Sequence, residues 1–292
     1  MWKPDVCFYH KDCPDGFASA WVVHRKWPDV DCYPVNYGLE LPDVDLVGKN
    51  LLVVDFSFKP EVIFNLEKKT KSILILDHHK TAKADLESFI VKDTWTHDNI
   101  DRAWLLNESC PIIAQFDMDR SGARMAWDFC FPEEGCPMLV QFVEDRDLWR
   151  FKLEGSRAFG LYLKSVPYEY KAWDKVYEFM ISNPSTLMEQ AYCIERFFDQ
   201  QIADMVKTST FKNIGKFKNI PVAYAPYAFT SDLAHQLLKK YPDAPFAAVI
   251  VDAYGGRTYS LRSEDSREDV SEVAKQFGGG GHRNASGFRV PG

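Results

Sequence analysis

The 292-residue sequence lacks the features of a disulfide-stabilised, membrane-spanning or polymer-coating protein. Its seven cysteines are odd in number and include no C-x-x-C pair, which argues against a disulfide framework and a zinc knuckle. No apolar run approaches the length of a transmembrane helix, and none near the first residue indicates a signal peptide. The net charge of -7 argues against binding along a long nucleic acid. We therefore expect no membrane association, no long nucleic-acid track and a cytoplasmic location.

Short apolar runs alternate with helical patterns in the first part of the chain. Such alternation predicts a parallel sheet with right-handed crossovers. The runs expected to be strands are 6–9, 31–35, 50–54 and 72–76. In residues 82–117 the apolar residues show no regular helical or strand-like spacing. A long half-polar helix at 185–207 is the predicted linker, after which strands and helices restart. The predicted fold is α/β, with a parallel-sheet domain at 1–184 and a smaller α/β domain at 208–292.

Acids and histidines gather at the ends of three of these runs. The carboxyl ends of parallel strands meet at one edge of a sheet, where such folds bind ligands. Carboxylates together with imidazoles suit manganese, cobalt or zinc, and so many acids would repel one another without cations between them. Two metals that share a carboxylate recur in phosphoryl hydrolysis. Unconnected helix caps and loop acids are the alternative, which the density of the set disfavours. The residues are His10, Asp12, Asp15, Asp55, Asp77, His78 and His79.

A glycine-rich stretch lies at 278–287. Consecutive glycines let the backbone approach an anion closely, and His282 and Arg283 add cationic donors. Arg262 precedes the stretch and is expected to point to the same place. A flexible linker is the alternative, but the predicted strand at 288–290 follows at once.

Ser121-Gly122-Ala123 is interpreted as a helix N-cap with a tight helix contact. The less favoured alternative is that it borders the ligand site.

The order His-x-Asp-x-x-Asp-Gly at 10–16, Asp55 after a strand, Asp77-His78-His79 and a later Asp resembles the DHH phosphoesterase superfamily. The stretch Gly-Gly-Gly-Gly-His-Arg-Asn-Ala-Ser-Gly resembles the signature loop of the second domain associated with DHH proteins. The two motifs lie at opposite ends of the chain, so the resemblance covers nearly all of it.

The resemblance implies a set of residue roles. Asp55 would be the carboxylate that bridges two metals, Asp77 would orient neighbouring imidazoles, and His79 would face the phosphate or protonate a leaving oxygen. Asp12 is also compatible with a position beside the metal ligands, without contact to the metal itself. Related exonucleases separate the two acids of the first motif by one residue, whereas here Cys13-Pro14 separates them. Asp145 is preferred to Asp147 for the later acid, because an aromatic residue lies four positions on. The implied metal ligands are His10, Asp12, Asp15, Asp55, His78 and Asp145. The implied substrate-binding residues are Arg262, Gly280, Gly281, His282 and Arg283.

The implied function is hydrolysis of very short 5′-phosphorylated oligoribonucleotides or linear dinucleotides by a hydroxide that bridges two divalent ions, with Mn²⁺ expected. We expect a monomer or a homodimer. Alternatives within the enzyme class are a cyclic dinucleotide phosphodiesterase and a 3′-phosphoadenosine 5′-phosphate phosphatase, with a family-II pyrophosphatase less favoured. A non-catalytic nucleotide-binding sensor is the alternative from another class.

Overall fold

The computed structural model describes residues 2–37, 39–90, 111–253 and 255–291, so Cys110 and most of the segment 82–117 lie outside the described residues. The chain divides into two compact units, Met1–Tyr192 and Cys193–Gly292. The division falls inside a helix of 24 residues, Pro184–Lys207, which coincides with the predicted linker. The predicted domain boundaries stay a prediction.

The first unit contains a parallel five-stranded sheet with helices between and after its strands. Its strands are β1 (Val6–His10), β2 (Asp31–Val35), β3 (Asn50–Val54), β4 (Ser72–Asp77) and β5 (Ile112–Phe116). Its helices are α1 (Pro14–Lys26), α2 (Pro60–Glu67), α3 (Lys80–Asp85), α4 (Gly122–Cys130), α5 (Met138–Asp147), α6 (Ser156–Leu163) and α7 (Tyr170–Ser182). The strand order β2-β1-β3-β4-β5, parallel throughout, confirms the predicted fold class.

The two central strands of this sheet are buried on both faces. Leu52 and Leu74 pack into a core on one face, while Leu51 and Ile73 pack into a separate core on the other. This double burial explains why β3 and β4 are apolar without alternation. It also leaves the ends of the strands as the places where polar side chains appear.

The second unit continues from α8 (Pro184–Lys207) and contains a mixed six-stranded sheet in the order β10-β11-β9-β8-β7-β6. Its β-strands are β6 (Thr210–Ile214), β7 (Phe217–Tyr224), β8 (Ala247–Ala253), β9 (Gly256–Arg262), β10 (Gly280–His282) and β11 (Ala285–Pro291). Its further helices are α9 (Thr230–Lys240) and α10 (Val270–Lys275). Strands β7 and β8 pair in parallel, and the other neighbours are antiparallel.

Two elements differ from the predictions. Strand β5 forms within the segment that showed no period, because it pairs with β4 and is buried at most of its positions. Part of the predicted glycine loop is a hairpin, in which Gly280 pairs with Gly287 and His282 pairs with Ala285. Among the described helices, we find none with the length and apolar character that a membrane crossing requires.

Candidate metal centre

Polar side chains follow the central strands of the parallel sheet at a single edge. His10 is the last residue of β1, Asp55 follows β3, and Asp77 is the last residue of β4, with His78 directly after it. The parallel pairing of these strands brings their carboxyl ends together. Asp55, Asp77 and His78 are each at most 2% exposed, so the edge is a buried polar site.

Asp55 lies between two imidazoles. One carboxylate oxygen, Oδ1, is 3.0 Å from Nε2 of His78, and the other, Oδ2, is 3.5 Å from Nδ1 of His10. The backbone of Asp55 has φ 53°, a left-handed conformation that is costly for a residue other than glycine. Burial alone would raise the pKa of Asp55, but the two imidazoles outweigh burial and lower it. Asp55 therefore remains ionised, with its two oxygens turned to two different partners.

Nε2 of His78 is surrounded by three carboxylates. It lies 3.0 Å from Asp55, 3.7 Å from Oδ2 of Asp15 and 3.7 Å from Oδ2 of Asp147. Burial opposes the charge on this imidazole, but the hydrogen bond with Asp55 and the charges of the three acids raise the pKa of His78 to about 10. Burial and the charges of Asp55 and Asp147 raise the pKa of Asp15. These shifts describe a site with more negative charge than its own residues can balance.

Asp15 is held by the first residues of α4. The backbone amide of Gly122 donates to Oδ2 of Asp15 over 2.7 Å, and the amide of Ala123 donates to Oδ1 over 3.1 Å. A Cβ on Gly122 would lie 2.4 Å from Cβ of Asp55, so only glycine fits this close approach. Ser121 is the N-cap of α4, and its hydroxyl accepts from the amide of Arg124. The Ser-Gly-Ala segment is thus both the favoured cap with a tight contact and a border of the site.

Asp77 is fully engaged in orienting its neighbours. Its Oδ1 accepts from the backbone amide of His78 over 2.7 Å and lies 2.7 Å from Nδ1 of His79. Its Oδ2 accepts from the hydroxyl of Ser57 over 2.6 Å. Burial would raise the pKa of Asp77, yet His79 and the other partners lower it to about 2. The same carboxylate outweighs the effect of burial on His79 and raises the pKa of that imidazole.

Asp145 and Asp147 have different surroundings. Asp145 accepts from the amides of Lys152 and Leu153, each over 3.0 Å, and from the hydroxyl of Ser156 over 2.5 Å. Its carboxylate therefore holds the turn after α5, whereas Asp147 is the acid beside His78. The geometry does not support the preference for Asp145, which was based on the spacing to Trp149. Residues two positions apart on a helix face different directions, and only the packing of α5 shows which acid faces the sheet edge.

Asp12 is also absent from the cluster. It is exposed, its backbone has φ 57°, and none of the described groups of potential ligands contains it. Cys13 instead joins His10 and Asp55, with one potential ligand atom of each residue within 4.8 Å of the others. Sequence reasoning missed Cys13, because the resemblance assigns the ligand role to acids of the 10–16 motif. It considered Asp147 but preferred Asp145, because Trp149 lies four positions after Asp145.

The residues present fit divalent cations. Nδ1 of His10 and Oδ2 of Asp55 are buried and have no hydrogen-bond partner, although only 3.5 Å separates them. A buried polar atom without a partner costs about 1–3 kcal/mol, which a bound cation would remove. Asp55 lies between two groups of donors. It forms one group with His10 and Cys13, and its Oδ1 is 3.0 Å from Nε2 of His78, which forms the other group with Asp15 and Asp147. Carboxylates with imidazoles are a donor set for manganese, zinc or related ions.

In the second unit, the arginines near the hairpin are bonded to its neighbours. Arg262 donates to the hydroxyls of Ser231 and Ser260 over 2.6 Å and 3.1 Å. Arg283 donates to the backbone carbonyls of Asp265 and Arg267 over 2.9 Å and 3.1 Å. Arg283 also lies 3.5 Å from a carboxylate oxygen of Asp269. Arg283 therefore stabilises the loop before α10 through these bonds, whereas the neutral hydroxyls of Ser231 and Ser260 position Arg262.

The hairpin itself requires glycine. Gly281 has φ 134°, and a Cβ there would lie 2.6 Å from the carbonyl oxygen of Ala285. Gly280 and His282 are its neighbours in β10, so the predicted substrate-binding residues Gly280, Gly281 and His282 form one edge strand of the sheet.

Comparisons with known proteins show what this chain is similar to in sequence and in fold. No family model matches the sequence. An uncharacterised protein, R106 of Acanthamoeba polyphaga mimivirus, is 29% identical over 99% of this chain and 68% of its own length. The oligoribonuclease NrnB of Bacillus subtilis is 32% identical over 33% of this chain and 22% of its own length. The crystal structure of RecJ with Mn²⁺ from Thermus thermophilus has a TM-score of 0.50 at 15% identity, covering 98% of this chain and 49% of RecJ.

The α/β arrangement, with a parallel sheet in one unit and a second sheet in the other, is consistent with the two-domain fold expected from the resemblance to DHH phosphoesterases.

Proposed function

We propose that the chain is a metal-dependent phosphodiesterase that hydrolyses very short 5′-phosphorylated oligoribonucleotides or linear dinucleotides to nucleoside 5′-monophosphates. The observation that carries the proposal is the convergence of Asp15, Asp55 and Asp147 within 3.0–3.7 Å of Nε2 of His78. Asp15, Asp55 and His78 are buried and Asp147 is exposed, so the cluster opens to solvent at Asp147. This concentration of negative charge needs cations, and cations also attract the negative charge of a phosphate. The similarity of one third of the chain to the oligoribonuclease NrnB supports the substrate class.

His10 and Asp55, together with Asp15, His78 and Asp147, are the residues proposed to hold two divalent ions, and we propose Mn²⁺ as the preferred one. Such ions supply charge neutralisation of the phosphate oxygens and a more acidic water. Asp55 offers one oxygen to each side of the cluster, which fits the predicted bridging role. Asp147 takes the place that Asp145 has in the prediction.

His79 is the proposed proton donor. Asp77 holds its Nδ1 at 2.7 Å and raises its pKa, which favours the imidazolium form. In the proposed reaction the oxygen of water bonds to phosphorus and the bond from phosphorus to the 3′-oxygen breaks. The imidazolium of His79 gives its proton to the departing 3′-oxygen, the proton lost by the attacking water passes to solvent, and His79 is reprotonated from solvent. A linear dinucleotide with a 5′-phosphate is thereby converted to two nucleoside 5′-monophosphates, one of which carries the freed 3′-hydroxyl.

In the second unit, Arg262 is proposed to bind the terminal phosphate of the substrate. A guanidinium can grip a phosphate through two parallel hydrogen bonds. The hydroxyls of Ser231 and Ser260 fix its position at the end of β9. The backbone of Gly280 and Gly281 and the side chain of His282 are the proposed companions, because they lie in the adjacent hairpin.

The test is hydrolysis by metal-stripped protein with and without added Mn²⁺. A 5′-phosphorylated diribonucleotide, a cyclic dinucleotide, 3′-phosphoadenosine 5′-phosphate and pyrophosphate are supplied in parallel, and Asp55→Asn is the matched inactive control. We expect Mn²⁺-dependent cleavage of the linear dinucleotide to be fastest. Faster cleavage of another substrate would overturn the substrate class, and no metal-dependent turnover of any of them would favour a non-catalytic sensor.

A further inference from the structure

Cys13 is part of the cluster, whereas Asp12, which the resemblance to DHH proteins implies as a ligand, is in none of its described groups. The main chain at Asp12 is left-handed, with φ 57°, and its side chain is exposed. Cys13 is the N-cap residue of α1, and its sulfur lies with ligand atoms of His10 and Asp55 in a group that spans at most 4.8 Å. The proline after it begins α1, so the position of the thiol is fixed by the helix start.

The neighbours of the thiol point independently to a ligand. Asp55 is 1% exposed, and its Oδ2 is a buried atom without a hydrogen-bond partner. Nδ1 of His10 is likewise buried without such a partner and lies 3.5 Å from this oxygen. Because Oδ2 of Asp55 and Nδ1 of His10 face each other without a hydrogen bond, a third group bound between them would give both atoms a partner. A cation bound by both atoms is the simplest such group.

We propose that Cys13 binds one of the two cations through its sulfur, completing a donor set with His10 and Asp55. The inference rests on the metal centre of the proposed function and names a ligand that the motif does not contain. When the cation binds, the thiol S–H bond breaks, its proton passes to solvent, and the sulfur donates an electron pair to the metal. Without a cation, burial and the charges of Asp55, Asp147 and Asp15 raise the pKa of the Cys13 thiol, so the positive charge of the bound ion is what makes the thiolate form favourable.

The consequence is a metal preference that differs between the two sides of the cluster. Thiolate and imidazole ligands select zinc, cobalt or iron, while carboxylates suit magnesium and manganese. The side with Cys13 therefore prefers the softer ions. The side with Asp15, His78 and Asp147 has no sulfur among its described ligands and accepts Mn²⁺.

The experiment uses cobalt as a spectroscopic probe of the full chain. A sulfur-to-cobalt bond gives an intense charge-transfer absorption in the near ultraviolet, which oxygen and nitrogen ligands do not give. Co²⁺ is titrated into metal-stripped wild-type protein and into Cys13→Ser, with calorimetry on the same samples to count bound ions. Cys193→Ser removes an exposed thiol of the second unit and is the matched control. Circular dichroism shows whether each variant is folded.

The expected result is a charge-transfer band in the wild type and in Cys193→Ser that disappears in Cys13→Ser. Cys13→Asp is expected to lack the band and to bind Mn²⁺ at least about 10-fold more tightly than Cys13→Ser, because a carboxylate replaces the sulfur. Two cobalt ions bound without the band would overturn the role of Cys13 and leave the proposed function standing. A band that persists in folded Cys13→Ser would also overturn it. No cobalt bound to any of the proteins would contradict the metal centre itself.

Discussion

The sheet edge of the first unit and the region of the glycine-rich hairpin in the second unit differ in how far their polar groups are hydrogen-bonded. At the sheet edge, Nδ1 of His10 and Oδ2 of Asp55 face each other without a hydrogen bond. Beside the hairpin, Arg283 is bonded to two backbone carbonyls and Arg262 to two hydroxyls. The first region needs an added cation to satisfy its atoms, whereas the second is already organised. In the proposed function, cations complete the centre at the sheet edge and the region of the hairpin binds an anion.

The largest expected effect is that of Asp55→Asn. The amide keeps the size of the side chain but removes the negative charge shared by the two sides of the cluster. We expect turnover to fall by more than the roughly 100-fold typical of losing a residue that only supports a ligand. The check is the rate of Mn²⁺-dependent hydrolysis at saturating substrate. If Asp55→Asn kept more than a tenth of the wild-type rate, the charge of Asp55 would not be essential, and the claim that the sheet edge depends on bound cations would be contradicted.

Asp147→Asn and Asp145→Asn form a pair that separates metal binding from folding. Asp147→Asn is expected to lower activity and metal affinity with little change in the melting temperature. Asp145→Asn is expected to reduce the free energy of unfolding by about 1–3 kcal/mol, because its amide group faces the donors Lys152, Leu153 and Ser156. Denaturant unfolding and metal titration of both variants provide the check. The reverse pattern would restore Asp145 as the ligand.

Arg262 and Arg283, two arginines of the second unit, are expected to differ less in their effects. Arg262→Ala is expected to raise the KM for a 5′-phosphorylated dinucleotide by about 10- to 100-fold, the effect of losing a charged hydrogen bond worth about 1.5–3 kcal/mol. Arg283→Ala is expected to loosen the loop before α10, because its guanidinium holds the carbonyls of Asp265 and Arg267. Steady-state kinetics and hydrogen exchange over residues 263–269 measure the two effects. Equal KM values for Arg262→Ala and wild type would contradict its binding role.

The smallest expected effect is the pH dependence contributed by His235 in the second unit. Burial lowers the pKa of His235 to about 4, and the charge of Arg262 adds to this shift. Between about pH 6.5 and pH 4 the unfolded chain binds a proton on His235 that the folded chain does not bind. The stability contributed by neutral His235 is therefore fully present above this range and is lost as the pH falls through it. The slope from one proton is at most about 1.4 kcal/mol per pH unit.

The check is hydrogen exchange in α9 at neutral and acidic pH, because every tryptophan of the chain precedes residue 174 and fluorescence reports on the first unit. Wild-type protection should fall on acidification more than that of His235→Gln. Equal falls would show that His235 does not titrate between the folded and unfolded states.

The polar residues of the sheet edge can be predicted from the sequence, because the apolar runs of the strands and the polar residues that follow them indicate the same place. The buried strands β3 and β4 have continuous apolar runs, and the polar residues at their ends are forced onto one edge by parallel pairing. Strand β5 has no such signal, because its burial depends on pairing with β4. The choice between Asp145 and Asp147 depends on how α5 packs, and the choice between Asp12 and Cys13 depends on the backbone conformation at the start of α1. Neither is encoded in residue spacing.

The central claim is that the cluster around Asp55 holds two divalent cations. Calorimetric titration of Mn²⁺ into metal-stripped protein tests it most directly, with Asp55→Asn as the comparison. The account predicts two ions for each wild-type chain and fewer in the variant, whose two sides no longer share a carboxylate. Binding of the same number of ions with the same affinity by Asp55→Asn, or no binding by the wild type, would contradict it.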